Sequence, residues 1–323
     1  MVSKVKIGVG AALAAAAWLA GPLAGAQGVD TSIVAVAKRW FLTRADARCH
    51  QLDPAQAMAL KAGYVQSRNE AIRAGYTMAA LAPYLDAARD AADRSDCASP
   101  QVAAETAAAR GAYTLFASQP RLSLPAGPAS WQADRTRAGD AQWRLVQYQD
   151  GAGAEAAMGL YGPLSDNRFV VMVRFADGAR PYGARLLIRD AGLASQGLIN
   201  PAAYAVSDAP PPGFASGALA FPARGMSDVD MTLSPAVTTN GLGFTPDGRY
   251  VGGQPGAGAA LRFDFSTRAY PAIAALDPRE DMVVEFDFSD GPRFIRFGVG
   301  DFITGLSFVA LPSPYGGQSL AAG

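Results

Sequence analysis

The chain has only two cysteines, Cys49 and Cys97, and every residue between them reads as helix or helix connection. If the two sulfurs bond, they close a loop of 47 intervening residues and staple a small helical domain. In the chain-entropy picture such a closure contributes roughly 4 kcal/mol before any strain is subtracted. Whether they bond depends on the compartment, and the N-terminus bears on that. Lys4 and Lys6 precede an apolar run from Ile7 to Ala24, and Ala24-Gly25-Ala26 supplies the small residues a signal peptidase accepts. Residues 1–26 therefore read as a secretory signal peptide cleaved before Gln27, with no cysteine there for lipoprotein processing. The alternative, a membrane anchor, has an apolar run shorter than the ~20 residues a span needs. An exported chain, periplasmic or extracellular, meets oxidising conditions in which such a pair bonds. Free thiols for catalysis or metal are the other reading, but there is no C-x-x-C and one histidine in the chain.

Charge excludes some partners. The 28 basic and 28 acidic residues balance, and losing Lys4 and Lys6 leaves 26 against 28. Nucleic acid demands a concentrated positive surface, so it is not an expected partner. No apolar run beyond residue 26 is long enough for a transmembrane segment, and the mature chain is expected to have none. No internal repeat of fixed period is visible, and the length suggests two domains.

Composition changes along the chain. Thr31 to Ser118 is alanine-rich, whereas Trp143 to Leu311 is rich in Gly, Val, Phe and Tyr. An alanine-rich half followed by a β-rich half predicts an α+β protein: a four-helix, disulfide-stapled domain over 27–118, then an antiparallel β-sandwich or barrel over 142–312. The stretch 119–141, with Pro120, Pro125 and Pro128, reads as a Pro-rich linker, and 313–323 as a flexible tail. Helix starts are expected at Asp30 or Thr31, at Asp53-Pro54, at Thr77 and at Ser99-Pro100, with Gly75 as a C-cap. Pro83 predicts a kink or a later start for the third helix. Short connections make neighbours antiparallel, which brings Cys49 and Cys97 to the same end.

In the second half, strands are expected at 143–149, 157–161, 169–175, 184–189, 218–221, 229–233, 260–265, 282–288, 294–299 and 306–311. They are punctuated by Asp150-Gly151, Asp177-Gly178, Asp247-Gly248 and Asp290-Gly291. Helical turns are expected near Asn200–Tyr204 and Tyr270–Leu276, and an exposed polyproline loop over Asp208–Gly217. Phe244-Thr245-Pro246-Asp247-Gly248-Arg249-Tyr250-Val251 resembles the strand–turn–strand unit of TolB-associated β-propeller repeats. A propeller requires that unit several times at a regular period, and it occurs once, so it is read as a common hairpin turn.

Residues that carry chemistry are scarce. No histidine lies in the β half, which leaves no Ser-His-Asp or Cys-His arrangement and no His/Cys zinc site. No lysine follows Lys61, so a P-loop is absent, and Gly252-Gly253-Gln254-Pro255-Gly256 reads as a loop. No cofactor or metal is expected. His50 reads as an imidazole at the end of the first helix rather than a base or ligand. Trp131 and Trp143, near Arg135, are the weak candidates for a binding platform; the competing reading packs them where the two domains meet or where a sheet opens. Asp264, Glu285 and Asp287 alternate with phenylalanines and are the weak catalytic candidates, as three acids on one sheet face. Such a set could also hold calcium. Arg262, Arg293 and Arg296 nearby make cross-strand salt pairs the competing reading. Asp228 and Asp230 form a weaker acidic pair.

The function expected is that of an exported, non-catalytic binding or envelope-associated module with a protein or glycan partner. The alternative is a carboxylate-dependent hydrolase acting on glycans. The reading of the N-terminus predicts that the exported protein begins at Gln27, which the intact mass of protein recovered outside the cytoplasm checks directly.

Overall fold

The computed structural model describes residues 30–127, 129–136, 139, 141–151, 153–193, 206–210, 217–229 and 260–315. The signal segment, the Asn200–Tyr204 turn, Pro211-Pro212, Asp230, Phe244–Val251, Gly252–Gly256 and the end of the tail lie outside these residues. The chain divides into two compact units, the second running from Ala117 onward and including Ile72–Tyr76.

The first unit holds α1 (Thr31–Cys49), α2 (Pro54–Arg73), α3 (Met78–Arg94) and α4 (Pro100–Ser118). Each helix begins where a side chain satisfies an amide that the first turn leaves without a partner. Asp30 accepts from the Ser32 amide, Thr77 from Ala80 and Ser99 from Val102. Asp53 accepts from the Gln56 amide while the Gln56 side chain accepts from Asp53, a reciprocal box with Pro54 at the first helical position. Gly75 follows α2 at φ +104°, a backbone conformation that favours glycine. Helix α3 starts at its Thr77 cap and runs through Pro83.

The Cys49–Cys97 disulfide ties the end of α1 to the connection after α3, with the Cα atoms 5.5 Å apart. Gln51 reinforces the same corner: its amide donates to Cys97 O at 2.6 Å and its carbonyl oxygen accepts from Thr106 of α4 at 2.9 Å. Phe41, Leu42 and Ala45 of α1 pack with Ala92 of α3 and Val102 of α4.

The second unit is built from two antiparallel sheets. The larger has the order β1-β2-β3-β4-β5-β9-β8, using Arg121–Ala126, Ala129–Asp134, Gln142–Gly151, Ala154–Gly162, Arg168–Phe175, Ala260–Asp264 and Gly225–Val229. The smaller has the order β11-β10-β6-β7, using Gly291–Gly298, Asp281–Phe288, Gly183–Arg189 and Ala218–Pro222. The sheets stack face to face through aromatic side chains at alternate positions: Phe175 meets Phe286 and Phe288, and Phe263 meets Phe286, at centroid distances of 4.9–5.6 Å.

Two expectations are corrected here. The supposed linker carries the β1–β2 hairpin, with Pro125 on an edge strand, where its missing N–H breaks no ladder. The supposed strand at 306–311 is part of a helix, α6 (Phe302–Val309). A short run that is apolar throughout carries no period to distinguish strand from helix. The seven-stranded sheet is wider than its four-stranded partner, and α6 packs on β1, β2 and β3. Gly305 allows that approach, because a Cβ there would lie 2.6 Å from Leu145 Cδ1. A short α5 (Tyr270–Ala274) occupies the expected helical turn near residue 270, and β8 begins earlier than the strand expected at 229.

The seam between sheets and helix is fixed at Gly298, where β11 ends. The Gln147 side chain accepts from the Gly298 amide at 2.7 Å and donates to its carbonyl at 3.2 Å. The Trp131 indole donates to the Gly298 and Val299 carbonyls, each at 3.1 Å, and its ring lies 4.9 Å from Phe302. Trp131→Phe keeps a ring but leaves buried carbonyls short of a donor and opens a small void. It is expected to lower stability by about 2–3 kcal/mol, read as a shifted urea midpoint with an unchanged slope.

Candidate functional site

The three carboxylates singled out in the sequence do not converge. Asp264 alternates with Phe263, and Glu285 and Asp287 alternate with Phe286, so each points away from the side of its sheet that carries the stacked phenylalanines. Asp264 therefore lies on the outer side of the larger sheet, and Glu285 and Asp287 on the outer side of the smaller one. The reading of three acids on one face is thereby corrected: residues in two stacked sheets share no outer face. Each acid also has an arginine. Arg262 donates to Asp264 at 2.5 Å, and Arg185, directly across the ladder from Glu285, reaches it at 2.8 Å and Asp287 at 3.5 Å. Asp228 is exposed and paired with Arg180 at 2.5 Å.

The tryptophans are not a surface platform. Trp131 is fully buried at the Gly298 seam. Trp143 is buried with Val146, Ala157, Val170, Met172 and Ala260, its ring edge-on to Tyr161 at 5.4 Å. Arg135 is buried as well, donating to the carbonyls of Ala117, Gln119 and Pro312 with its guanidinium 4.2 Å above the Phe308 ring. His50 caps α1 in a left-handed conformation, φ 51°, its amide donating to Asp46 O at 2.8 Å. Among the described residues no group of three or more His, Cys, Asp or Glu side chains is placed to hold a metal ion.

A concave feature of the second unit lies at one end of the sandwich, where hairpin tips meet. Gly153 comes from the β3–β4 turn, Asp177 from the turn after β5, and Asp290 and Arg293 from the β10–β11 hairpin; with Val206 and Asp208 they line a cleft of 730 Å³. Val206–Asp208 is held in place because Ser207 exchanges both backbone hydrogen bonds with Phe294, at 3.1 and 2.8 Å. Arg293 organises the floor. Its guanidinium lies 4.3 Å over the Phe288 ring and donates to Asp177 at 2.7 Å and Asp290 at 3.4 Å. Tyr182, 69% exposed, is fixed beside the same hairpin by donating its hydroxyl to Phe288 O at 3.1 Å.

The Asp177 carboxyl is held below the ordinary carboxylate range, first by the Ala179 amide and then by Arg293. It is thus an ionised hydrogen-bond acceptor at neutral pH rather than a proton donor. The cleft offers acceptors and an aromatic-backed arginine. Sequence reasoning marked Asp177-Gly178 and Asp290-Gly291 as turns, but that these turns share one end of a sandwich follows only from strand order.

Compared with known protein families, curated proteins and solved structures, the chain matches none. What the structure defines is a class by architecture: an α+β protein with a disulfide-bonded helical unit followed by an antiparallel two-sheet unit.

Arg293→Ala is expected to raise the Asp177 pKa towards the ordinary range without fully restoring it, because the Ala179 amide remains. The stabilisation Asp177 gains from these partners is present above the ordinary carboxyl pKa and is lost as pH falls through its own lowered value. Carboxyl NMR titration of both proteins reads the shift.

Proposed function

We propose that the protein is an exported, non-catalytic binding module that takes a glycan of the cell envelope at the hairpin end of its sandwich. The carrying observation is the 730 Å³ cleft built from three separate turns, within the size range of ordinary ligand sites. Turns presented by a rigid sandwich are a usual place for binding function. Carboxylate acceptors at Asp177, Asp208 and Asp290 suit the many hydroxyl donors of a sugar. The exposed Tyr182 ring, tied by its hydroxyl to Phe288 of β10, offers an apolar face on the strand that leads into this hairpin. The Cys49–Cys97 bond supports export, since such bonds persist in oxidising compartments. The hydrolase alternative gains no support from the placement of Asp264, Glu285 and Asp287.

The test is binding of oligosaccharides released from the cell envelope, measured by native mass spectrometry and by protection of the hairpin tips from hydrogen exchange. Wild type is expected to bind with protection at residues 153–154, 176–179 and 290–293. Asp208→Ala and Tyr182→Ala, both at exposed positions, are expected to weaken binding by about tenfold each, in the range of a lost charge-assisted hydrogen bond or ring contact. Binding that is indifferent to both substitutions, or capture of a protein instead of a glycan, would overturn this reading.

A further inference from the structure

The charges that line the hairpin cleft are not balanced. Three carboxylates, Asp177, Asp208 and Asp290, face it with one cation, Arg293, so the ionised lining carries three negative charges against one positive. The arginine is already engaged. Nη1 donates to Asp177 Oδ2 at 2.7 Å, Nη2 donates to Asp290 Oδ2 at 3.4 Å, and the Phe288 ring covers one face of the guanidinium at 4.3 Å. Its side chain is 19% exposed, against 52% for Asp177 and 69% for Asp290. A ligand entering the cleft therefore meets the carboxylates ahead of the guanidinium. Asp177 Oδ1 accepts from the Ala179 amide at 3.0 Å, whereas Asp290 Oδ1 and both oxygens of the exposed Asp208 accept from no described residue.

The arginines around the cleft do not cancel this excess, because each has its own acid. Arg174, on the strand that leads to Asp177, pairs with Glu155 at 2.5 Å. Arg180, beyond the same turn, pairs with Asp228 at 2.5 Å. Arg185 serves both Glu285 and Asp287. The sequence on either side of Val206–Asp208, over 194–205 and 211–216, contains no charged residue.

Carboxylates fixed around one concave surface favour a cation there and disfavour an anion. A metal ion needs its ligands gathered about one point, and among the described residues no group of three or more His, Cys, Asp or Glu side chains is so placed. An ammonium group has three N–H donors and takes its acceptors singly. A neutral sugar hydroxyl uses the same acceptors but gains nothing from their charge. We infer that the cleft selects among glycans by charge, preferring one that carries an unsubstituted, protonated amino sugar to its N-acetylated counterpart. This rests on the glycan reading above and adds to it the class of sugar.

The test compares a glucosamine oligomer with the N-acetylglucosamine oligomer of the same length by calorimetric titration. The pH is one at which the carboxyls are ionised and the sugar amines protonated. Wild type is expected to bind the glucosamine oligomer about tenfold more tightly at low salt. Because the carboxylates are exposed, that ratio is expected to shrink as sodium chloride is added. Asp208→Asn combined with Asp290→Asn keeps a carbonyl acceptor and the side-chain shape at both positions while balancing the lining charge. Its ratio is expected to fall to about one; Asp208→Asn alone, expected to lower the ratio part of the way, serves if the double variant fails to fold. A ratio near one in wild type, or an undiminished ratio in the variants, overturns charge selection and leaves the glycan reading standing. Binding of neither oligomer also overturns it, and the envelope oligosaccharides then decide separately whether the glycan reading falls too.

Discussion

The Gly298 peptide is the joint on which the second unit depends. Strand β11 ends there, and the chain must turn towards α6 inside the core, where an unpaired backbone group is costly. Gln147 of β3 and Trp131 of β2 supply the hydrogen bonds that a neighbouring strand would otherwise give. Both side chains belong to the larger sheet and Gly298 to the smaller one, so the same contacts register one sheet on the other. They also place α6 over β1–β3, the part of the wide sheet that would otherwise lack an apolar cover. Gly300, at φ +46°, permits the turn itself: a Cβ there would lie 2.1 Å from the Pro125 carbonyl.

The helical unit is held by a different device. Its helices are alanine-rich and bury few large side chains, so packing alone provides a modest core. The disulfide and the hydrogen bonds of Gln51 concentrate order at the corner where α1, the connection after α3, and α4 meet. At the hairpin end of the second unit an arginine is neutralised and carboxylates remain available.

Much of this was legible in the residues. The helix starts followed from Asp30, Asp53-Pro54, Thr77 and Ser99-Pro100, because capping is chemistry between a side chain and its own first turn. The pairing of Cys49 with Cys97 followed from there being two cysteines at one end of antiparallel neighbours. Most strands followed from alternation and from the turns at Asp177-Gly178 and Asp290-Gly291, whereas Asp150-Gly151 falls within β3. The errors came where local chemistry is silent. Pro125 reads as a breaker, although an edge strand tolerates it. Phe302–Val309 has no period and takes its conformation from the surface it covers. Trp131 and Trp143 could be weighed as a platform or as packing, and only their burial decides for packing.

The sequence by itself determined the class and the local elements, because caps, turns and alternation act over a few residues and need no partner from afar. Only the tertiary structure decided which residues meet. It set Asp264 and the Glu285–Asp287 pair on opposite outer faces and gathered Gly153, Asp177, Asp208 and Arg293 around one cleft. The physical reason is that sheet order, and the face each residue presents, depend on pairings between strands far apart in the chain. The energy of those pairings resides in contacts that no single stretch of sequence contains.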